Sequence, residues 1–485
     1  MGRPSRRSAW GEAPPPSQFG LLGSVRGTEL AELLKGRGLK EPMPDHASSS
    51  DPAVQAQLDR LARLSPGTDM LGLDRIARLM ERLGHPERRL PPVFHVAGTN
   101  GKGSTCAYLR AAIEAAGMTA HVFTSPHLIR FNERIRIAGA LIADAELAPL
   151  LAEVLDAGGD VGASFFEVTT AAALLAFARV PADACIVEVG LGGRLDATNI
   201  IPNPAICGIA QLGLDHQAFL GETIEEIAAE KAGIAKPGVP IVTLHYPAGI
   251  ANRVGEVIRA ASADWHAKGG SWDSVAYRRQ LHYRDAAGKL DLPLPGLAGQ
   301  HQAQNAGLAI AMLRHQSKLL IPASAIRAAM GWADWPARLQ HLREGKLLHQ
   351  LPPGSELWVD GGHNPSAGRV IGDFLRGHVA PDRPLHIILG LLANKDAGGF
   401  LAAMGRVAAD FHMVPVRGHA HHGTESLTEI ARLAGHAAQA AHDIDDALAR
   451  IEQAASPGAP PPVILIAGSL YLAGEALERN GIVVD

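Results

Sequence analysis

The sequence predicts an α/β protein with a mostly parallel central sheet and a second, smaller α/β domain after it. Two observations carry this expectation. Short apolar runs alternate with segments of helical period, and such alternation builds parallel sheets with helices on both faces. The alternation breaks at Trp335-Pro336, and a second series of the same kind starts at Glu356. A boundary is therefore placed near residue 335. The cleft between two such domains is a common place for a ligand.

Residues 1–50 are rich in Pro, Gly, Ser and charge. They read as a disordered tail with a short helix near Glu29–Lys35. From Asp51 the pattern turns helical. Ile76, Leu79, Met80 and Leu83 recur at helix spacing, and Gly84 stops them. Val93–Ala97 is the first buried strand. A glycine-rich turn leads into a helix over Lys102–Ala116, with Gly117 where a C-terminal glycine belongs. Thr119–Thr124, Ala184–Val189, Ala205–Leu212 and Pro240–Leu244 read as further strands, and Phe165–Ala178 and Glu222–Ala235 as helices. Residues 270–295 lose helical period and suggest a small antiparallel insertion, and helices resume near Gln300. The second series holds the strands Leu385–Leu389, Phe411–Val416 and Pro462–Ala467. The expected parts are thus a tail, 1–50, a central domain, 51–335, and a C-terminal domain, 336–485.

Composition narrows the function. The 485 residues are 47% hydrophobic and 19% charged, with a formal charge of −4. Neither sign dominates, which argues against a nucleic-acid or anionic-membrane binder. Cys106, Cys185 and Cys207 have no C-x-x-C spacing, which argues against a structural zinc site or disulfide framework; Cys185 and Cys207 lie in apolar runs and read as small core residues, and a reducing compartment fits. No apolar run is long enough to span a bilayer, and the basic N-terminus leads into no apolar segment. The expected compartment is the cytoplasm.

The strongest local signal is Gly98-Thr99-Asn100-Gly101-Lys102-Gly103-Ser104, between a strand and a helix. Glycines let backbone N–H groups approach phosphate oxygens, the helix N-terminus adds a positive dipole end, and Lys102 adds a charge. Ser104 offers a hydroxyl to a nucleotide-bound magnesium. Gly103, between Lys and Ser, departs from the common phosphate-loop pattern.

Glu188 ends an apolar strand and precedes Gly190-Leu191-Gly192-Gly193. A carboxylate at that edge of a parallel strand faces the ligand crevice. Asp215-His216 follows the next apolar strand, so the two groups are expected to leave adjacent strands toward one site. Magnesium prefers oxygen ligands and imidazole suits zinc or manganese better, but the phosphate loop demands magnesium, for which manganese could substitute. Lys231, in Ala229-Glu230-Lys231-Ala232-Gly233, reads from composition alone as a solvated helix lysine.

These segments together resemble the folylpolyglutamate synthase and dihydrofolate synthase family, within the wider group of Mur-type amide ligases. The resemblance runs from about Asp51 to Val484. It rests on Gly98–Ser104, Thr124–Leu128, Phe131–Ile135, Glu188–Asn199, Leu214–His216, Leu220-Gly221 and Lys231–Ile234. Further on it includes Gln302–Asn305, Pro336–Gln340, Asp360–Pro365, Gly390–Asp396 and Gly468–Leu472. Two departures are Gly362 where Ala is usual and Leu339 where Phe is frequent.

The resemblance implies a phosphate-loop, Mur-ligase-like central domain and a Rossmann-like C-terminal domain that binds glutamate. It implies that Gly101, Lys102, Gly103 and Ser104 hold ATP phosphates, and that Asn305, Arg338, Asp360 and His363 complete the nucleotide site. Ser125, Glu188 and His216 are the implied metal ligands, with two magnesium ions and Lys231 carbamylated. Lys102, Glu188, His216 and Lys231 are the candidate catalytic residues. The pterin side falls to Leu71, Gly72, Leu73, Ser164, Leu195, Asp196 and Ala197, and the glutamate side to Lys395, Asp396, Ser469 and Tyr471.

The implied reaction joins L-glutamate to dihydropteroate and to folates through an acyl phosphate, in a cytoplasmic monomer acting on small molecules. The alternatives are a monofunctional folylpolyglutamate synthase, another Mur-type ligase, or an inactive nucleotide-binding regulator. The last is disfavoured because Lys102, Glu188 and His216 are all present.

Overall fold

A computed structural model describes residues 47–64, 71–456 and 458–482. The helix expected near Glu29–Lys35, and nearly all of the expected tail, lie outside these residues. The strands of the first sheet are β1 (Val93–Ala97), β2 (Ala120–Phe123), β3 (Ile135–Ile137), β4 (Ala140–Leu141), β5 (Ala184–Glu188), β6 (Ile206–Ile209), β7 (Pro240–Thr243) and β8 (Asp264–Ala267). Their spatial order is β4-β3-β2-β5-β1-β6-β7-β8. All pairs are parallel except the edge pairs β2–β3 and β3–β4.

The middle strand β1 is buried over all five residues, as a strand covered on both faces requires. Phe94 and Val96 join one core with the helices Lys102–Ala115 and Gln302–His315. Val93 joins another with Pro52–Leu64, Asp144–Gly158 and Phe165–Arg179. The register pairs Val96 with Glu188 of β5 and Ala97 with Ile209 of β6. The turn after β1 therefore leaves the sheet between β5 and β6, where the strand order switches direction and parallel sheets open a ligand crevice.

Local chemistry sets the helix limits. Ser164 Oγ accepts from Glu167 N, and the Glu167 carboxylate accepts from Ser164 N, so Phe165–Arg179 starts on a capping box. The helix expected over Glu222–Ala235 is shorter, Ile224–Ala232, because Thr223 caps it by accepting from Glu226 N. The strand expected to reach Leu212 stops at Ile209. Past it, the Gln211 carbonyl turns to accept from Thr99 N at 2.8 Å.

The expected antiparallel insertion is present as β9 (Trp272–Tyr277), β10 (Gln280–Asp285) and β11 (Gly288–Pro293), in the order β11-β10-β9. Its Trp272, Leu281, Tyr283 and Leu292 extend the first of the two cores.

The second sheet contains β12 (Gln340–Leu342), β13 (Glu356–Val359), β14 (Leu385–Leu389), β15 (Asp410–Met413), β16 (Ala437–Ala440) and β17 (Val463–Ala467). Its order is β12-β13-β17-β14-β15-β16, parallel except for β12 against β13. Both sheets lie within one compact unit, Glu41–Asp485. The three cysteines are free and fully buried, Cys106 on the helix after β1, Cys185 on β5 and Cys207 on β6. Among the described residues no helix is long and apolar enough to cross a membrane.

Candidate active site

The turn after β1 is held in shape from its own inside. Lys102 Nζ donates to the carbonyls of Gly98 at 3.2 Å and Thr99 at 3.4 Å. Gly101 precedes the helix in a left-handed conformation, φ 85°. Ser104 is buried, and its Oγ accepts from Gln302 Nε2 at 3.3 Å, while Gln302 Oε1 accepts from Asn305 Nδ2 at 3.0 Å. The Trp335 indole lies 2.6 Å from where a Cβ on Gly103 would stand. The residue separating Lys from Ser is thus a glycine because the segment joining the two sheets packs on it.

Glu188 is buried at the end of β5, with Oε1 3.8 Å from Lys102 Nζ. Burial pushes its carboxyl up. Lys102, Arg338 and the Ser125 backbone N–H pull it down. Lys231 is buried as well and donates to the Gly98 carbonyl at 3.1 Å, so it is not the solvated lysine that composition suggests. Burial, then the Lys102 charge, pushes its ammonium down to about 7. The loop after Glu188 sits on the helix that carries Lys231. A Cβ on Gly193 would meet the Glu230 carbonyl at 2.7 Å and that of Lys231 at 2.9 Å.

Arg338 comes from the segment joining the sheets, flanked by two residues in the left-handed region, Ala337 at φ 55° and Leu339 at φ 45°. Side chains adopt that region only where the surroundings impose it. Here Asp360 imposes it. Its carboxylate accepts from Leu339 N at 2.8 Å and Gly362 N at 2.7 Å, and Ala337 O accepts from Gly361 N at 2.9 Å. Both Asp360 oxygens are thus engaged by backbone at the base of the Arg338 turn.

His216 and Asp215 form a second group. Asp215 accepts from Lys395 Nζ at 2.8 Å and Asn364 Nδ2 at 2.9 Å, and His363 Nε2 lies 3.6 Å away. Burial pushes Asp215 up, but His363, Lys395 and His216 outweigh it and hold the carboxyl well below the usual range. His216 has φ 53° and keeps 38% of its side chain in solvent. Partial burial, then the Lys395 charge, pushes its pKa down to about 3. Asn364 also pairs with Asn100 of the phosphate loop, donating at 3.0 Å and accepting at 3.3 Å.

One sequence expectation needs correction. Glu188 and His216 do not leave adjacent strands, because β1 lies between β5 and β6. Among the described residues the two share no hydrogen bond or ion pair. The Lys231 ammonium feels charges from both groups, Lys102 from one and Asp215 from the other.

The segments assigned to the pterin side converge. Leu71–Leu73 lead into the helix Asp74–Arg82, Ser164 caps Phe165–Arg179, and Asp196 caps the 3-10 turn Ala197–Ile200. These three elements pack against one another, and Arg75 Nε donates to Glu167 at 2.9 Å. Leu73 and Ala197 also belong to the core there, and Leu195 is half-buried.

Known proteins share this fold. Residues 348–470 match the Mur ligase, glutamate ligase domain. The dihydrofolate synthase/folylpolyglutamate synthase of Bacillus subtilis (strain 168) is 33% identical over 429 residues, covering 84% of this chain and 94% of that protein. This chain belongs to the dihydrofolate synthase/folylpolyglutamate synthase family. The solved E. coli FolC in complex with DHPP and ADP has a TM-score of 0.77 at 32% identity, over 89% of this chain and 98% of that one. A solved bifunctional folylpolyglutamate synthase/dihydrofolate synthase with Mn, AMPPNP and L-glutamate bound has a TM-score of 0.77 at 30% identity, over 91% and 100%. The α/β fold with mostly parallel sheets is thus a Mur-ligase fold.

Within this family frame, the donor set can be tested against magnesium. Glu188 and Ser125 offer a carboxylate and a hydroxyl beside the phosphate loop. Magnesium binds through one or two carboxylates together with substrate phosphates and water, so the residues fit. Among the described residues no three His, Cys, Asp or Glu side chains gather around one point, so phosphate oxygens and water would complete the shell. Sequence reasoning missed Asn100, Asn364 and Trp335 as site residues, although each sits in or beside a motif it singled out.

Proposed function

We propose that this chain is an ATP-dependent ligase that joins L-glutamate to dihydropteroate, giving dihydrofolate, and adds further glutamates to folates. One observation carries the reading. Arg338, from the segment joining the sheets, lies near enough for its charge to act on the buried Glu188, which stands 3.8 Å from Lys102 of the phosphate loop, so groups from both parts of the chain bear on one carboxylate. Family membership and solved relatives holding nucleotide, DHPP, Mn and L-glutamate support the same assignment.

A free carboxylate is a poor acylating agent because its leaving group would be oxide. Its oxygen attacks the γ-phosphorus of ATP, the bond to the bridging oxygen breaks, and ADP leaves. Lys102 and the loop N–H groups hold the phosphates in line, and Arg338 adds positive charge from the other side. Glutamate's amine then attacks the acyl carbon, phosphate departs with its electron pair, and the nitrogen releases a proton. Water must be excluded while the acyl phosphate exists. The contacts of Asn364 with Asn100 and of Lys395 with Asp215 span the cleft where this exclusion is needed.

Ser125 and Glu188 would hold one magnesium, which neutralises phosphate charge. A second falls to His216 with Lys231 once the lysine carries a carbamate. A neutral amine is the form that accepts carbon dioxide, and a pKa of about 7 keeps a sizeable fraction of Lys231 in that form at neutral pH. Leu71, Gly72, Leu73, Ser164, Leu195, Asp196 and Ala197 take the pterin side, Asn305, Arg338, Asp360 and His363 the nucleotide, and Lys395, Asp396, Ser469 and Tyr471 the glutamate. The enzyme works on small molecules as a cytoplasmic monomer, and light scattering is expected to return the mass of one chain.

The deciding experiment gives purified protein ATP, magnesium, glutamate and dihydropteroate. Dihydrofolate is expected. Folded protein that makes none, yet extends folates, would leave the monofunctional reading.

A further inference from the structure

Below the phosphate loop a polar chain runs back from Asp196 to two residues, Thr198 and His95, that the reaction above does not use. His95, at the centre of β1, and Thr198 are fully buried, and Asp196 is 2% exposed. His95 Nε2 lies 2.9 Å from Thr198 Oγ1, which lies 2.5 Å from Asp196 Oδ1. Asp196 also accepts from Thr198 N at 3.0 Å and Leu191 N at 2.8 Å. Among the described residues His95 Nδ1 has no partner.

The direction of this chain follows from proton counting. A hydroxyl carries one proton and a carboxylate only accepts, so the Thr198 proton goes to Asp196. Thr198 Oγ1 is then an acceptor toward His95, and Nε2 must carry a hydrogen. Burial, and next the Lys236 charge, pushes the ring's pKa down to about 3, so it is neutral and Nδ1 is bare. A bare acceptor nitrogen costs less to bury unpaired than an N–H does. The reverse polarity needs a protonated Asp196 and strands a buried N–H. Burial pushes Asp196 up and its three donors pull it down, and it is the geometry that decides: a backbone N–H points at each of its oxygens, as toward an acceptor.

We propose that His95 is a positioning residue for the substrate pocket. Through Thr198 it fixes the Asp196 carboxylate, tying the strand that launches the phosphate loop to the loop that receives the pterin-bearing substrate. The anchor is rigid, since β1 is paired with β5 and β6 along its length. Asp196 sits in an irregular segment that needs such support to hold one orientation. The proposal rests on the assignment of Asp196 to the substrate side made above.

The test uses the full chain and steady-state kinetics. His95→Leu removes the donor at similar volume, His95→Gln keeps an N–H near the Nε2 position, and Thr198→Val removes the relaying hydroxyl. His95→Leu is expected to raise KM for dihydropteroate about five- to tenfold while KM for ATP stays within about twofold. His95→Gln is expected to restore most of the loss. The double variant H95L/T198V should be no worse than the poorer single one, because both break the same chain. Multiplying effects, equal shifts in both KM values, or no shift would overturn the relay. Asp196→Asn separates the two layers. If it leaves KM for dihydropteroate unchanged, the substrate assignment fails; if it raises KM and His95→Leu does not, only the relay fails. Nitrogen-15 spectra of histidine-labelled protein, with His95→Gln for assignment, test the unmodified chain. A neutral ring protonated on Nε2 is expected, and protonation on Nδ1 would refute the proposal.

Discussion

Lys102 and Lys231 share one acceptor, the carbonyl oxygen of Gly98, at 3.2 and 3.1 Å. Burial, and then repulsion from the Lys102 charge on the same oxygen, pushes the Lys231 ammonium down to about 7. The unfolded chain holds that proton to pH of about 10.5, the ordinary lysine value, so this group makes stability rise with pH between about 7 and 10.5. Below 7 both states are charged and the full penalty is present; above 10.5 it vanishes. Lys231→Met is therefore expected to be more stable than the parent at pH 7 by roughly 3–5 kcal/mol, with the gap closing toward high pH. Urea midpoints at several pH values in buffer free of carbon dioxide would show this.

Lys102→Ala and Glu188→Ala are expected to lower kcat at least about 100-fold. Neither replaces a core-packing group, so circular dichroism and the melting temperature should stay near the parent's. A variant keeping near-normal turnover would remove its residue from the reaction.

An acyl phosphate leaves an isotopic trace. Dihydropteroate carrying oxygen-18 in its carboxylate should pass one labelled oxygen to inorganic phosphate in each turnover. Unlabelled phosphate would mean that the carboxylate is never phosphorylated.

The Asp215–Lys395 pair joins the two sheet systems, and each side chain is only 9% exposed. Lys395→Met leaves a buried carboxylate short of its cation, which costs about 3 kcal/mol in denaturant unfolding. Adding Asp215→Asn should return much of that loss, since the uncompensated charge is gone.

The sequence made the repetitive parts of this fold readable and hid the pairings. Val93–Ala97 and Leu385–Leu389 end where their apolar runs end, because a strand buried on both faces has no alternation of polar positions to blur it and each carries a single buried histidine, His95 or His386. β3 and β4, of three and two residues, are too short for any period, and β16 is Ala-Ala-Gln-Ala, which favours no element. The phosphate loop was legible because its chemistry is local. The Asn100–Asn364 contact joins residues 264 positions apart, and only topology brings them together. The same topology separates Glu188 from Asp215-His216. Strands consecutive in the chain need not be neighbours, and β1 sits between them.

The three sealed thiols stand on the elements that frame the crevice: the helix after β1, β5 and β6. Burial pushes each thiol up, so none is ionised at neutral pH. An alkylating reagent can reach them only during transient opening of the sheet. The rate of their modification is therefore a built-in clock for breathing around the nucleotide crevice, and its slowing with each added ligand would rank how firmly that ligand fastens the surrounding strands.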